Sequence, residues 1–484
     1  MTFETLERYK PIIDDWDAFC DTLNRPLPTT IWTNTLRVSP QTLCDIFVQD
    51  GIELEPLTGY ASGFTVPFDI KPAHHWSYAA GLFHIQETVS MLPVLALNPQ
   101  SGDRVLDLCA APGNKTAQIA VALNNAGTVI ANDISYRRMR ASRQTLERLG
   151  LVNVATTTCD GGNFPQAAGY FDKILVDVPC SAEGTYRKDR KVVRKTKMHK
   201  RYREGGVQLA LLRKAIALCR PGGRVVYSTC TFAPEENERV VNTILAEFGS
   251  EVIRIVPWPI SQFQTSPGLT EWQGQTFASA LQNTTRIWPH HNDTGGFFIA
   301  VLEKKAVNSV SVNDVLVSSA QNPNDYATRF TPIEPEIMAT VTTRFGLPTD
   351  YFSAYHVFQR NQDRAYIVNQ DHHPPPTPEI EAAGVTLIKT GIRYPKLTTA
   401  GTRLLGQTAK QNYIDLTAEQ VDSYFGRQTF AVPKSQCQHC TSLGYVLIRF
   451  NGYALGIGFY RPDENDGTAS VTSLFPKGWS AKAP

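Results

Sequence analysis

An α/β fold built on a mostly parallel sheet is predicted for the centre of this chain, with further domains on either side. Two observations predict it. Short apolar runs alternate with amphipathic segments across residues 96–305, the pattern of repeated strand–helix units. Four of those runs close on or beside an acid, at Asp107, Asp133, Asp160 and Asp177, which sets a row of carboxylates along the carboxyl edge of one sheet. At 484 residues the chain has room for roughly two to four domains.

The elements follow in order. Residues 1–95 are mixed in character, with amphipathic stretches at 12–23 and 41–48, and read as an N-terminal α+β domain on the substrate side. Strands are expected at 104–108, 129–132, 154–157, 173–176, 224–228 and 296–302. Helices at 115–123, 135–149 and 208–219 fall between them. The last strand follows Trp288-Pro289 and the pair Gly295-Gly296, so it can enter as a late antiparallel hairpin. Residues 306–390 read as a linker followed by a small α/β domain, broken by His372-His373-Pro374-Pro375-Pro376, which no helix or central strand tolerates. Residues 391–484 are short β-like runs, and Asn451-Gly452 between two apolar stretches signals a hairpin.

Composition sets limits. The formal net charge is +2, so the chain as a whole is not a polycation, and nucleic-acid binding requires a local patch. Nine cysteines are scattered without disulfide-like spacing. With no apolar leader at the start and no apolar run of about 20 residues, reduced thiols and a cytoplasmic location with no membrane contact are expected. Cys437-Gln438-His439-Cys440 is half a zinc motif with no second half. His74-His75 and His290-His291 are weak signals of the same kind. No metal site is expected.

The strand ending at Leu108 runs into Cys109-Ala110-Ala111-Pro112-Gly113-Asn114-Lys115-Thr116 and then a helix. Small residues there let backbone approach a ligand closely. The loop has neither the dinucleotide glycine fingerprint nor P-loop spacing, which favours a zwitterionic nucleoside. Asp133, at the end of the next strand, suits ribose hydroxyls. Any one of these acids could be an ordinary cap; four in one register are harder to explain that way.

Two cysteines, Cys180 in Asp177-Val178-Pro179-Cys180 and Cys230 in Ser228-Thr229-Cys230-Thr231, follow strands of the same sheet and should open into one cleft. Most cysteines are small buried hydrophobes, and Cys20, Cys44, Cys159 and Cys219 are read so. The pair in turns suits pyrimidine chemistry. A thiolate added at C6 makes C5 nucleophilic toward a methyl sulfonium, and Asp177 is sited for the base's N3. Ten basic residues against one acid fill 187–203, among them Arg187, Lys188, Arg190, Lys191, Arg194 and Lys195. Such runs are commonly solvated faces, but this one adjoins the cleft, so phosphate contact is expected.

These segments closely resemble the Nol1/Nop2/Sun family of RNA cytosine-C5 methyltransferases. The matching stretches are DLCAAPGNKT at 107–116, DVPCSAEG at 177–184 and STCTFAPEENER at 228–239, with GLFHIQETVSMLP at 81–93 ahead of them and RIWPHHNDTGGFFIAVLEK at 286–304 after them. The resemblance implies a Rossmann-like core that uses S-adenosyl-L-methionine. Cys230 would be the nucleophile, and Cys180 would assist breakdown of the covalent adduct. Asp177 would contact the base, and Lys115 would lie beside the reacting centre. Cys109, Ala110, Ala111, Pro112, Gly113, Asn114, Lys115, Asp133, Asp160 and Asp177 would line the cofactor site. In two places the chain departs from the family's usual sequence. Asn114 follows Gly113 where Gly or Ser is usual, and Ala182 stands where Gly is usual, in a turn that favours φ > 0.

The order of parts is similar to the type F small-subunit rRNA methyltransferases of that family, which implies a PUA-like RNA-binding domain over 391–484. Ribosomal RNA is then the expected substrate, with the assembled small subunit as a further partner, a monomeric state, and transfer RNA as the alternative. Two other readings compete. An exocyclic-amine methyltransferase would need Asn/Asp-Pro-Pro-aromatic where this chain has Asp177-Val178-Pro179-Cys180. A non-catalytic RNA-binding assembly factor would be expected to have lost Cys230 or the acids.

Overall fold

The structure is a computed structural model and describes residues 5–192, 198–306, 330–361, 363–390, 396–462 and 468–477. The core sheet carries β1 (Arg104–Asp107), β2 (Thr128–Asp133), β3 (Val154–Thr158), β4 (Phe171–Asp177), β5 (Cys219–Thr229) and β6 (Phe297–Lys304). Their order across the sheet is β3-β2-β1-β4-β5-β6. The first five strands are mutually parallel, and β6 runs antiparallel to β5 with Phe298 opposite Thr229. Thr285–Ile287 lies beside β6 and antiparallel to it, so the late hairpin expected from the glycine pair is present.

The core strands are buried on both faces, as a parallel sheet requires. The helices α1 (Asn114–Ala122), α2 (Tyr136–Leu149), α3 (Met198–Leu218) and α4 (Glu238–Phe248) connect them. Ser135 caps α2 through the Arg138 N–H, and Gly150 ends that helix in the left-handed conformation. This alternation puts every β-to-α turn on one edge, so the carboxylates and both cysteines share it.

Two expected boundaries move. The helix Thr88–Leu97 crosses the boundary expected at 95/96, and Val89, Leu92 and Val94 pack with Val105, Ala117 and Val226 of the core. That helix is apolar all round, so periodicity gave no sign of which side it belonged to. At the other end, Lys396–Leu397 pairs with Val385–Lys389, so the small α/β domain runs past 390. A two-residue strand is too short to carry a readable pattern. The linker expected at 306–330 lies outside the described residues except for Ala306 and Phe330.

The small domain also joins the core. Its strand Ile380–Ala383 adds antiparallel to β3, with Ile380 opposite Thr157 and Ala383 opposite Ala155. The last region holds a five-stranded sheet in the order Tyr413–Asp415, Gly444–Phe450, Tyr453–Pro462, Thr468–Ser473, Thr429–Pro433. Its hairpin turns at Asn451 and Gly452, with φ of 49° and 80°. The N-terminal domain is a four-stranded antiparallel sheet with helices Trp16–Asn24 and Pro40–Gln49. Among the described residues, no helix is long and apolar enough to cross a membrane.

Candidate active site

Cys180 and Cys230 meet. Their sulfurs lie 3.3 Å apart at the ends of β4 and β5. The Cys230 turn is held by Asn237, whose amide accepts from Thr229 Oγ1 (2.6 Å) and donates to Thr231 O (3.0 Å), one residue to either side of the sulfur. A buried ion pair of Glu238 with Arg286, at 2.5 and 2.6 Å, backs this arrangement, and Arg286 also donates to Phe232 O. The hydrogen bond with Cys230, and burial after it, hold the Cys180 thiol well above its ordinary range.

Beside the sulfurs sits a charged pair. Lys115 Nζ, on the first turn of α1, donates to Asp177 Oδ2 (2.7 Å) and to Ser90 Oγ (2.8 Å). Ser228 Oγ donates to the other Asp177 oxygen at 2.8 Å. Burial acts to lower the Lys115 pKa, but Asp177 and then Cys230 outweigh it, so the ammonium is held above its usual range. The ring of Phe297 lies 5.5 Å from the ammonium. Lys115, Asp177, Ser90, Phe297 and Cys230 line one cleft together with Gln86, Glu87 and Gly296. Cys180 and Ser228 reach it through their contacts with Cys230 and Asp177. Gly184 allows it to close. A Cβ there would meet Gly296 O at 2.1 Å, and the two backbones are bonded through Gly296 N–H to Gly184 O at 2.9 Å.

A second cavity adjoins the first over the loop after β1. Asp107, Cys109, Ala110, Ala111, Pro112, Asn114, Lys115 and Asp177 line it. Gly113 turns the loop with φ of 93°, and a Cβ there would press on Ser142 at 2.8 Å. Asp133 accepts from Ala111 N–H (3.2 Å) and Ser135 N–H (2.9 Å), so it braces the loop as well as ending β2. Asp107 accepts from Thr116 Oγ1 at 2.6 Å, while its Oδ1 is buried with no partner among the described residues. Burial pushes the Asp107 carboxyl up to about 7. An orphaned acceptor beside small-residue backbone fits a polar, partly cationic nucleoside ligand. Asp160 stands apart. It is exposed and caps the turn Gly161–Asn163 through Gly162 N–H and Asn163 Nδ2.

The basic segment divides. Arg187 is 1% exposed at its side chain and donates to Arg25 O, Pro26 O, Thr294 O and Asp293. Its guanidinium thus ties the N-terminal domain to the loop before β6, a use that a basic run conceals, while the residue also lines the cleft. Lys188, Arg190 and Lys191 are exposed. Arg194 and Lys195 lie outside the described residues. No sequence signal pointed to Ser90, Ser228 or Phe297 as partners of Lys115 and Asp177. They sit in the recognised motifs, but only the fold shows what they touch.

His290 and His291 converge through Nε2 on Asp14, at 2.8 Å each. Their Nδ1 atoms are buried with no partner among the described residues. A metal held on Nε2 would force each ring's proton onto Nδ1, where nothing accepts it. Donation from Nε2–H to Asp14 leaves only lone pairs there, so the cluster reads as a latch between the N-terminal segment and the core.

Residues 94–303 match the family model described as 16S rRNA methyltransferase RsmB/F. The chain is 30% identical over 461 residues to the ribosomal RNA small subunit methyltransferase F of Klebsiella pneumoniae, covering 92% of this chain and 89% of that one. It is 35% identical over 325 residues to the 28S rRNA (cytosine-C(5))-methyltransferase of Mus musculus, covering 66% of this chain but only 39% of the longer mouse protein. Among solved structures, a methyltransferase homolog protein from Pyrococcus horikoshii superposes with a TM-score of 0.55 at 30% identity, over 63% of this chain and all (100%) of that one. With the near-full-length match to the Klebsiella protein, the chain belongs to the RsmB/F group of the Nol1/Nop2/Sun RNA cytosine-C5 methyltransferase family.

Proposed function

We propose that the chain methylates C5 of a cytosine in RNA, with small-subunit ribosomal RNA as substrate and S-adenosyl-L-methionine as methyl donor. The observation that carries this reading is the placement of two sulfurs 3.3 Å apart beside a lysine–aspartate pair. That set matches the needs of C6 attack: a nucleophile, a partner thiol, and a donor and acceptor for the base edge.

The residues divide the work. Cys230 attacks C6 as a thiolate. The Lys115–Asp177 pair faces the base edge, where N3 and the exocyclic amine take up charge as the ring loses its aromaticity. Ser90 and Ser228 fix that pair from either side. Cys109 to Lys115, Asp107 and Asp133 would hold the methyl donor, with Asp160 at the rim. When bound, the donor supplies an electrophilic methyl group on a sulfonium. The target base must leave its stack to reach the cleft, and Lys188, Arg190 and Lys191 stand beside it to hold phosphate. The C-terminal five-stranded sheet, read as PUA-like, would add a second RNA contact. A monomer acting in the cytoplasm completes the reading; the choice of small-subunit ribosomal RNA is what the near-full-length likeness to the Klebsiella protein supports.

The test offers purified protein naked small-subunit rRNA, assembled small subunits and bulk tRNA with labelled donor, and then maps 5-methylcytosine. Label in ribosomal RNA at one site supports the proposal. Label in tRNA alone reassigns the substrate, and no label in any arm overturns the activity.

A further inference from the structure

Each cysteine of the cleft has its own clamp, and the two clamps come from neighbouring residues. Asn237 brackets Cys230. Glu236, one residue earlier, brackets Cys180 together with Gln208 of α3. Gln208 Nε2 donates to Pro179 O at 2.9 Å, just before the sulfur, and Ser181 N–H, just after it, donates to Glu236 Oε2 at 2.9 Å. Gln208 Nε2 also donates to that same Glu236 oxygen at 2.9 Å, closing the bracket. Both side chains are fully buried.

We propose that Gln208 and Glu236 are positioning residues for Cys180, setting how fast the covalent enzyme–RNA adduct breaks down without governing its formation. The inference rests on the cysteine mechanism above. Breakdown removes the proton at C5, restores the C5–C6 double bond and returns the S–C6 electron pair to the Cys230 sulfur. Cys180 stands 3.3 Å from that sulfur. Its S–H gives a proton to the departing sulfur, and the resulting thiolate takes the proton from C5. The net change is one proton moved from C5 to Cys230, with no oxidant or reductant.

A relay of this kind is sensitive to placement, since a displacement of about 1 Å can cost about 100-fold in rate. No comparable demand falls on Cys180 during attack at C6, which uses Cys230, Lys115 and Asp177. The clamp therefore bears on one half of the reaction. It also ties Cys180 to α3, the helix that issues from the basic stretch.

The carboxyl of Glu236 is pushed up by burial. Its Oε1 and the Gln208 Oε1 are buried with no partner among the described residues, so an apolar replacement of Gln208 removes one orphaned acceptor as it removes the donors.

The experiment follows one turnover of the full chain on the RNA it methylates. Label transfer gives the first half of the reaction, and the shifted band on a denaturing gel gives adduct lifetime. Gln208→Leu and Glu236→Ala, made on different elements, should each lengthen adduct lifetime about tenfold or more while first-turnover methyl transfer stays within about twofold. Glu236→Gln keeps an acceptor for Ser181 N–H and should restore a lifetime near that of the wild type. Unchanged lifetimes in both Gln208→Leu and Glu236→Ala overturn the clamp. So does a parallel fall in methyl transfer and release, which a merely structural role would give. Wild-type protein that neither transfers methyl nor forms adduct removes the functional reading beneath it.

Discussion

Ala182 holds φ of 61° and ψ of 23° in the turn after Cys180, a left-handed conformation that costs a residue with a Cβ about 1–2 kcal/mol. The strain lies two residues from a reacting sulfur. Ala182→Gly should relieve it, less the entropy gained by the unfolded chain, for a net of about 0.5–1 kcal/mol. Thermal melts should show a rise of about 1–3 °C; a fall would mean that the methyl group packs usefully. Asp107 gives a pH-dependent case. Its folded pKa of about 7 exceeds the unfolded value of 3.8, so the group favours folding at low pH and withdraws that support as pH climbs from 3.8 to about 7. Asp107→Asn should therefore raise the unfolding midpoint by an amount that grows across that window and is flat above it. Melts at a series of pH values check this, and a gain that shrinks with pH would contradict it.

At the scale of elements, the basic stretch shows what composition conceals. Arg187 and Lys188 are adjacent and alike in charge, yet one is built into the fold and the other is exposed. Arg187→Ala should lower the melting midpoint. Lys188→Ala should leave the midpoint alone and flatten the salt dependence of RNA binding, by about 0.7–0.9 in the log–log slope for each phosphate no longer neutralised. Equal effects on both measurements from the two variants would remove the distinction. The core strands were legible as apolar runs buried on both faces, as with Val129, Ile130 and Ala131, and α1 and α2 as amphipathic segments between them. By contrast, α3 begins ten residues before the expected 208, and α4 (Glu238–Phe248) was not read from the sequence. Cys180 and Cys230 were legible because each follows a strand of one parallel sheet, and such turns share an edge. Ser90 beside Lys115 was not, since 25 positions separate them and only tertiary packing brings them together.

At the scale of the molecule, the C-terminal regions are not simple appendages. Ile380–Ala383 covers the free edge of β3, and the Gly127 N–H donates to Asp371 Oδ2 at 2.6 Å. No sequence pattern pairs 380–383 with 155–157, because strand partners more than 200 residues apart leave no local trace. Ending the chain after Lys305 should expose that edge to intermolecular pairing. Gel filtration and melting of the truncated protein should show association and a lower midpoint; a monomer with unchanged melting would contradict the structural role. The core sheet thus borrows its edge strand from the region that follows.

The central claim is that Cys230 attacks the base and Cys180 completes the cycle. The most direct measurement incubates the Cys180→Ala and Cys230→Ala proteins with cellular RNA and S-adenosyl-L-methionine and resolves them on a denaturing gel. The account predicts an RNA-dependent shifted band with Cys180→Ala only, and sequencing of the trapped RNA then names the target. A shifted band with Cys230→Ala only would exchange the two roles. No band with either, and no methyl transfer by the unaltered protein, would contradict the account.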